Sequence, residues 1–349
     1  MEKMYRIAAV PGDGIGHEIV PAGVEVLKEV AKRNGFAVSL DDFDYGAGYY
    51  KKHGVFMPAD GLEKLKNYDG ILFGAVGLPD VDDTLPAKDY TFKVRTNFEQ
   101  YVNYRPVRIW KGVKRPLSSE KPFDFVVVRE NTEGEFVQVG SQVAPDRPHG
   151  MGVDTSIFTR TGIERIAHYA FQLARKRRKH VTSVTKSNTL INSLTYWDRV
   201  IREVAEHYPD VEHRFMYIDA TSANFVLRPW IFDVVLTTNL FGDILSDLGG
   251  ALMGSLGLGG SGNINPEKKY PSMFEPIHGS APDIAGKGIA NPVGMFWSVA
   301  LMLEHLGEAE AAESIMRATD TTLEQGFLPV DIGGNSKTDE LSVKVIQNL

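Results

Sequence analysis

Strand-like and helix-like segments alternate along this chain from its first residues, and that alternation restricts the fold more than any single motif. Residues 5–10 read as a strand, 15–34 as a helix closed by Gly35, and 37–43 as a second strand. Further strands are expected at 70–75, 123–128, 179–185, 213–218 and 232–237, with helices at 162–175, 194–207 and 240–256. The part from Pro292 onward reads as mostly helical, and 77–89, 140–152 and 257–271 as irregular stretches rich in Pro, Gly and Asp. Such a succession predicts α/β layering around a largely parallel sheet. A chain of 349 residues, 43% hydrophobic and 24% charged, has length and apolar content for one large or two ordinary domains.

Composition removes several classes of function. There is no cysteine, so disulfides, thiolate nucleophiles and zinc–cysteine sites are excluded. A net charge of -7 gives no global attraction to nucleic acid or to a membrane surface. No apolar run approaches 18 residues and no signal-like segment precedes the first strand, so a cytoplasmic protein is expected. The basic run Arg175-Lys-Arg-Arg-Lys-His180 lacks interleaved aromatics and ends a helix, where cations face the dipole favourably. It reads as a solvated face rather than a nucleic-acid patch.

Two glycine motifs invite a dinucleotide reading. Gly257-Leu-Gly-Gly-Ser-Gly262 spells G-x-G-x-x-G, but a helix-like run precedes it and the strand–turn–helix context is missing. Pro11-Gly-Asp-Gly-Ile-Gly16 does join a strand to a helix, with the wrong spacing and no acid at the customary offset. A standard Rossmann fingerprint is therefore absent. The stretch from Glu275 to Pro292 is a better nucleotide candidate. It places small residues beside His278, Asp283 and Asn291, where the Asp283 carboxylate can accept from a diol and disfavours a phosphate.

The charged residues suggest a site. Asp243 and Asp247 lie four apart on one helix face, a repulsive spacing unless a cation neutralises it, and Asp219 follows a strand. Oxygen-only ligation suits Mg²⁺ or Mn²⁺; the alternative is a solvated acidic face. Arg95, Arg105 and Arg129 fit bidentate recognition of a dicarboxylate, although each alone is an ordinary surface ion-pair residue. Lys186 ends a strand and is a candidate base.

Taken together, Pro11–Gly16, Gly74-Ala-Val-Gly77, Arg129-Glu-Asn-Thr-Glu-Gly134, Thr185-Lys-Ser-Asn188, Asn239-Leu-Phe-Gly-Asp-Ile-Leu-Ser-Asp247 and the Glu275–Pro292 stretch resemble the β-decarboxylating dehydrogenases, the isocitrate/isopropylmalate dehydrogenase family. The resemblance spans essentially the whole chain. Gln100-Tyr-Val-Asn-Tyr-Arg-Pro106 and Ser272-Met-Phe-Glu-Pro276 are most similar to its tartrate/D-malate branch.

The resemblance implies an α/β, isopropylmalate dehydrogenase-like two-domain fold, with 1–100 and 255–349 as cofactor domain and 101–254 as substrate and dimerisation domain. It implies NAD held by Ile15, Gly74, Ala75, Val76, Asn188, Glu275, His278, Gly279, Ser280, Ala281, Asp283, Ile284 and Asn291. Asp283-Ile284 stands where NADP-using members carry Lys-Tyr. Arg95, Arg105 and Arg129 become the carboxylate clamp, Lys186 and Asp219 the catalytic residues, and Asp219, Asp243 and Asp247 the ligands of Mg²⁺ or Mn²⁺, with K⁺ a further candidate. A homodimer with shared sites is implied, Lys186 and Asp219 reaching in from the partner.

The expected activity is oxidation, with or without decarboxylation, of a small 2-hydroxy dicarboxylate such as D-malate or tartrate. Alternatives are 3-isopropylmalate oxidation and a non-catalytic binding protein on the same scaffold. Two positions depart from the family pattern. Phe136 stands where a tyrosine protonates the enolate, and Leu85-Pro-Ala-Lys-Asp-Tyr-Thr-Phe-Lys-Val94 replaces the segment that touches the variable part of the substrate.

Overall fold

A computed structural model describes residues 3–117 and 121–349. Its strands are β1 (Met4–Gly12), β2 (Ala37–Asp42), β3 (Gly70–Ala75), β4 (Val102–Arg108), β5 (Asp124–Glu130), β6 (Gly140–Val143), β7 (Met151–Asp154), β8 (His180–Thr185), β9 (Glu212–Tyr217), β10 (Val234–Thr237), β11 (Gly260–Ile264) and β12 (Ser272–Pro276). Ten of them form one sheet in the order β2-β1-β3-β12-β11-β4-β5-β10-β8-β9, and β6 pairs with β7 as a separate hairpin. Two parallel blocks, β2-β1-β3-β12 and β5-β10-β8-β9, flank a centre where β12, β11, β4 and β5 run antiparallel to one another. The sheet is thus mixed rather than uniformly parallel. One block comes from the two ends of the chain and the other from its middle.

Period-2 alternation along the strands places Ile7, Ala9 and Leu72 in one apolar cluster, and Ala8, Val10, Ile71 and Phe73 in another. The sheet is therefore buried on both faces. Helices Gly16–Asn34 and Val293–Leu306 cover the first block, Arg160–Arg175 and Ser193–Ala205 the second. Gly35, at φ +72°, closes the first helix in the left-handed conformation.

Several expected elements change character. Residues 257–271 contain β11, a fully buried central strand. Its glycines serve packing: a Cβ on Gly260 would lie 2.7 Å from Trp297 Cβ and 2.8 Å from Ser298 N, on the helix that crosses it. The G-x-G-x-x-G string is thus a helix–sheet contact, not a phosphate loop. Residues 140–152 hold most of the β6–β7 hairpin, and Asp219 lies in the first turn of a helix, Ile218–Leu227. The basic run is spent on local partners: Arg175 pairs with Asp210, and Arg177 with Asp124 and Asp233. No helix among the described residues is long and apolar enough to cross a membrane.

Candidate active site

Two arginines are brought together by strand register. β4 and β5 pair antiparallel with Asn103 opposite Arg129 and Arg105 opposite Val127, so Arg105 and Arg129 occupy one face diagonally. Helix Asn239–Met253 lies on that face. Its Gly242 permits close approach, since a Cβ there would meet Arg129 Cβ at 2.6 Å. Both guanidiniums are buried. Arg129 donates through Nε to Asn239 Oδ1 at 2.8 Å and through Nη1 to Asp243. Arg105 donates to Ser246 Oγ at 2.6 Å and lies 3.5 Å from Asp247 and 3.9 Å from Asp243.

Arg95 enters from the short helix Lys93–Asn97. It pairs with Glu275 of β12 at 2.9 Å, and Asn263 of β11 donates to the same carboxylate oxygen at 2.7 Å. Asn103 and Asn131 both donate to Asn263 Oδ1 at 3.0 Å, so a buried polar network crosses the sheet where its two blocks meet. Glu275, the start of the nucleotide candidate, is therefore the partner of Arg95.

Desolvation pulls the Arg105 and Arg129 guanidiniums below their ordinary range, and the Asp243 charge opposes this. Burial raises the Asp243 carboxyl, but Arg129, Arg105 and Arg95 outweigh it and hold it below the usual value. Asp247 goes the other way, raised by burial, because Arg105 only partly compensates and Asp243 repels it. The acidic pair thus sits at the edge of a buried arginine cluster, with the Asp243 side chain 47% and the Asp247 side chain 58% exposed. Ile244, which lies between the two aspartates in sequence, is 55% exposed.

Lys186 and Asp219 form a separate ion pair. Nζ donates to Asp219 Oδ1 at 3.0 Å, and this bond, with backbone donors, lowers the Asp219 carboxyl. Among the described residues of one chain, no three histidine or acidic side chains converge as a cation site, so Asp219 does not join Asp243 and Asp247 within a chain. The oxygen-only donors suit a hard divalent ion, but one chain by itself falls short in number.

Most of the cofactor candidates gather at the C-terminal end of β3. The Pro11–Gly16 turn lies backbone to backbone on Gly74-Ala75, with Asp13 N donating to Ala75 O at 2.8 Å and Gly12 at φ +70°. Asp13, unremarked in the sequence, is buried and accepts from the amides of Ala47 (2.7 Å), Gly48 (2.8 Å) and Gly77 (2.9 Å). Ile15 N donates to Ser280 O at 2.9 Å, which docks the 277–291 loop on the turn.

Between them lies a cavity of about 250 Å³ lined by Ile15, His278, Ala281, Ile284, Asn291 and Asp331, among others. His278 has Nδ1 against Gly279 O at 2.9 Å and a buried Nε2 without a protein partner; burial lowers its pKa, so the ring is neutral. An apolar slot edged by an orphaned imidazole nitrogen, a carboxylate and an amide fits a flat heteroaromatic base. Asp283 is exposed on the same loop. Asn188 is also exposed and does not line the cavity.

Sequence reading missed Asp331, which accepts from Ser255 Oγ and from Asn291 Nδ2 (3.0 Å), and also Asn239 and Ser246. Asp331 lies on a 3-10 turn with no local signal; Asn239 and Ser246 stood unremarked beside the two aspartates. Neither Tyr90 nor Tyr104 supplies the hydroxyl that Phe136 lacks. Tyr104 points to the sheet face opposite Arg105, beside Tyr169 and Leu301, and Tyr90 is wholly buried against Phe73 with its hydroxyl unpartnered. Burial raises the pKa of both. Phe136 meets Phe92 edge-on at 5.3 Å between ring centroids, and the Arg129 guanidinium is 5.3 Å from its ring centre.

Comparison with known proteins covers the same span. The family model described as isocitrate/isopropylmalate dehydrogenase matches residues 6–345. A probable tartrate dehydrogenase/decarboxylase of Agrobacterium vitis is 48% identical over 345 residues, covering 98% of this chain and 96% of the relative. The decarboxylating D-malate dehydrogenase of Escherichia coli (strain K12) is 47% identical, with 98% of each chain covered. The crystal structure of isocitrate dehydrogenase from Methylococcus capsulatus superposes with a TM-score of 0.89 at 36% identity, covering 99% of both chains.

Proposed function

The chain belongs to the isocitrate/isopropylmalate dehydrogenase family, and on that premise we propose that it is an NAD-dependent, divalent-metal-dependent dehydrogenase of a small 2-hydroxy dicarboxylate such as D-malate or tartrate. The observation that carries the reading is the convergence of Arg95, Arg105 and Arg129 on Asp243 beside Asp247. Arg105 and Arg129 face Asp243 and Asp247 while Glu275 neutralises Arg95, so the cluster is charge-balanced as it stands, and a dianionic substrate would enter together with a divalent cation that offsets its charge. NAD, when bound, supplies the hydride acceptor, and a Mg²⁺ or Mn²⁺ ion the Lewis acid.

The chain's own groups do the rest. The arginines bind and orient the two carboxylates. Asp243 and Asp247 from one subunit and Asp219 from its partner would hold the ion, and Lys186 handles the proton of the 2-hydroxyl. The lining of the 250 Å³ cavity takes the adenine, and Asp283 the ribose diol. In this reading 1–100 with 255–349 form the cofactor domain and 101–254 the substrate domain.

Sharing of sites between two copies is favoured by exposed apolar side chains around the two half-sites. Tyr217 (43% exposed), Leu227 (68%) and Ile244 (55%) flank them, and Val143, Met151 and Val153 are exposed on the β6–β7 hairpin. The relatives named for tartrate and D-malate favour those acids over 3-isopropylmalate. The test is NADH formation over a panel of 2-hydroxy acids, with Mn²⁺ and K⁺ each present and absent. No NADH from any dicarboxylate with Mn²⁺ present would leave the non-catalytic reading.

A further inference from the structure

Resting on the reading of the 277–291 loop as the adenosine side of an NAD site, we propose that Glu18 is a positioning residue for the cofactor. It acts by clamping that loop through two backbone amides. Gly286 N donates to Glu18 Oε1 at 2.6 Å and Gly288 N donates to Oε2 at 2.9 Å, a bidentate bond across more than 260 residues of sequence. The two glycines have φ +77° and +65°, left-handed conformations that turn both amides toward one acceptor.

The rest of the loop is anchored at its flanks. Ile15 N holds Ser280 O, Thr338 N donates to Gly288 O at 3.1 Å, and Thr338 Oγ1 donates to Ala290 O at 2.6 Å. Glu18 thus closes the middle of a segment whose two ends other elements already hold. Asp283 and Ile284 lie between the Ser280 anchor and the Glu18 clamp, so the carboxylate's grip determines how much of their freedom remains to be lost on binding. Glu18 stands in the first turn of helix Gly16–Asn34, the helix that begins at the Pro11–Gly16 turn. One residue therefore ties the loop to the turn carrying Ile15.

Surroundings decide which effect removal would have. A surface groove of about 390 Å³, lined by Glu18, Glu25, Lys287, Lys337, Thr338 and Asp339, among others, borders the loop. Amides released by Glu18→Ala would be hydrated from that groove rather than orphaned, so the loss falls on loop order and less on global stability.

The test uses the full-length protein and its variants Glu18→Ala and Glu18→Gln. NADH and NAD binding are followed by fluorescence and calorimetry, and amide hydrogen exchange is measured without cofactor. Glu18→Ala is expected to weaken NADH binding about tenfold or more and to raise KM for NAD alike, with kcat at saturating cofactor within about twofold of wild type. Gly286 and Gly288 amides should exchange about tenfold faster while β1 amides do not change, and the thermal midpoint should fall by less than about 4 °C. Glu18→Gln keeps one acceptor oxygen and should lie between; it carries the test if the alanine variant does not fold. Wild-type affinity in a folded Glu18→Ala or Glu18→Gln variant, or unchanged exchange at both glycines, overturns the role of Glu18 and leaves the cofactor reading intact. A wild-type protein that binds no dinucleotide overturns the cofactor reading itself, and this role with it.

Discussion

Replacing Phe136 by tyrosine should accelerate release of CO₂ without accelerating oxidation. Phe136 is partly exposed, packs edge-on against Phe92, and faces the Arg129 guanidinium, so a para hydroxyl adds one polar atom beside Arg129. Such a change should cost less than about 0.5 kcal/mol in stability. In wild type neither Tyr104 nor Tyr90 takes its place, because Tyr104 lies on the far face of β4 and the Tyr90 hydroxyl is sealed behind Phe73. A positioned acid is worth roughly 10²–10⁴-fold, or about 3–5 kcal/mol of barrier, at the step in which CO₂ leaves and the developing enolate is protonated. In the proposed reaction hydride transfer precedes that step, and Lys186, which handles the 2-hydroxyl proton, contacts Asp219 and the Tyr217 ring rather than Phe136. NADH and CO₂ should therefore be recorded together on D-malate and tartrate, with the keto acid trapped. Wild type should form NADH ahead of CO₂, and Phe136→Tyr should bring the two together at an unchanged initial NADH rate. CO₂ released by wild type as fast as NADH, and unaltered by the substitution, would refute the reasoning.

Four other outcomes are expected. Turnover should favour NAD over NADP because the exposed Asp283 carboxylate repels a 2′-phosphate, and equal kcat/KM for the two would count against it. Chelation should abolish oxidation and Asp243→Asn should raise the Mn²⁺ concentration needed for half activity at least about tenfold; full activity in chelator would return the pair to a structural role. His213 is held down to about 4 by burial and by Arg202, so it folds neutral while the unfolded chain protonates near its ordinary value of 6.5. Its share of stability is full above that value and is lost as pH falls toward 4, about 3 kcal/mol in all; denaturant titrations at pH 7 and 4.5 should show a smaller loss in His213→Gln. Asp13→Ala strands three amides that one buried carboxylate serves, and should cost about 3 kcal/mol or more by the same titration at pH 7.

Much of the scaffold was legible because its signals are local. The strand at β3 and the helix Gly16–Asn34 with Gly35 as its stop follow from apolar runs, period and one left-handed residue. β11 was not legible: Gly-Ser-Gly-Asn-Ile has little strand propensity, and it is a strand because β12, β4 and a crossing helix leave a slot that small residues fill. Helix Ile218–Leu227 escaped because Ala-Thr-Ser-Ala-Asn carries little amphipathic pattern. The acids and arginines were picked out by type and spacing, and the pairing of Arg129 with Asp243 became visible only with the register of β4 and β5 and the seat of one helix.

By itself, the sequence determined the α/β class, the family and the kinds of side chain in the site, since periodicity and motif spelling are properties of neighbouring residues. Tertiary structure alone decided that Tyr104 turns away from the arginines, that Glu275 binds Arg95, that Asp331 edges the cavity beside His278, and that Asp219 does not join Asp243 within a chain. Each of those depends on which face a strand presents and which distant segments a fold brings within hydrogen-bond reach. A one-residue shift of register would reverse the first, and no local pattern records the others.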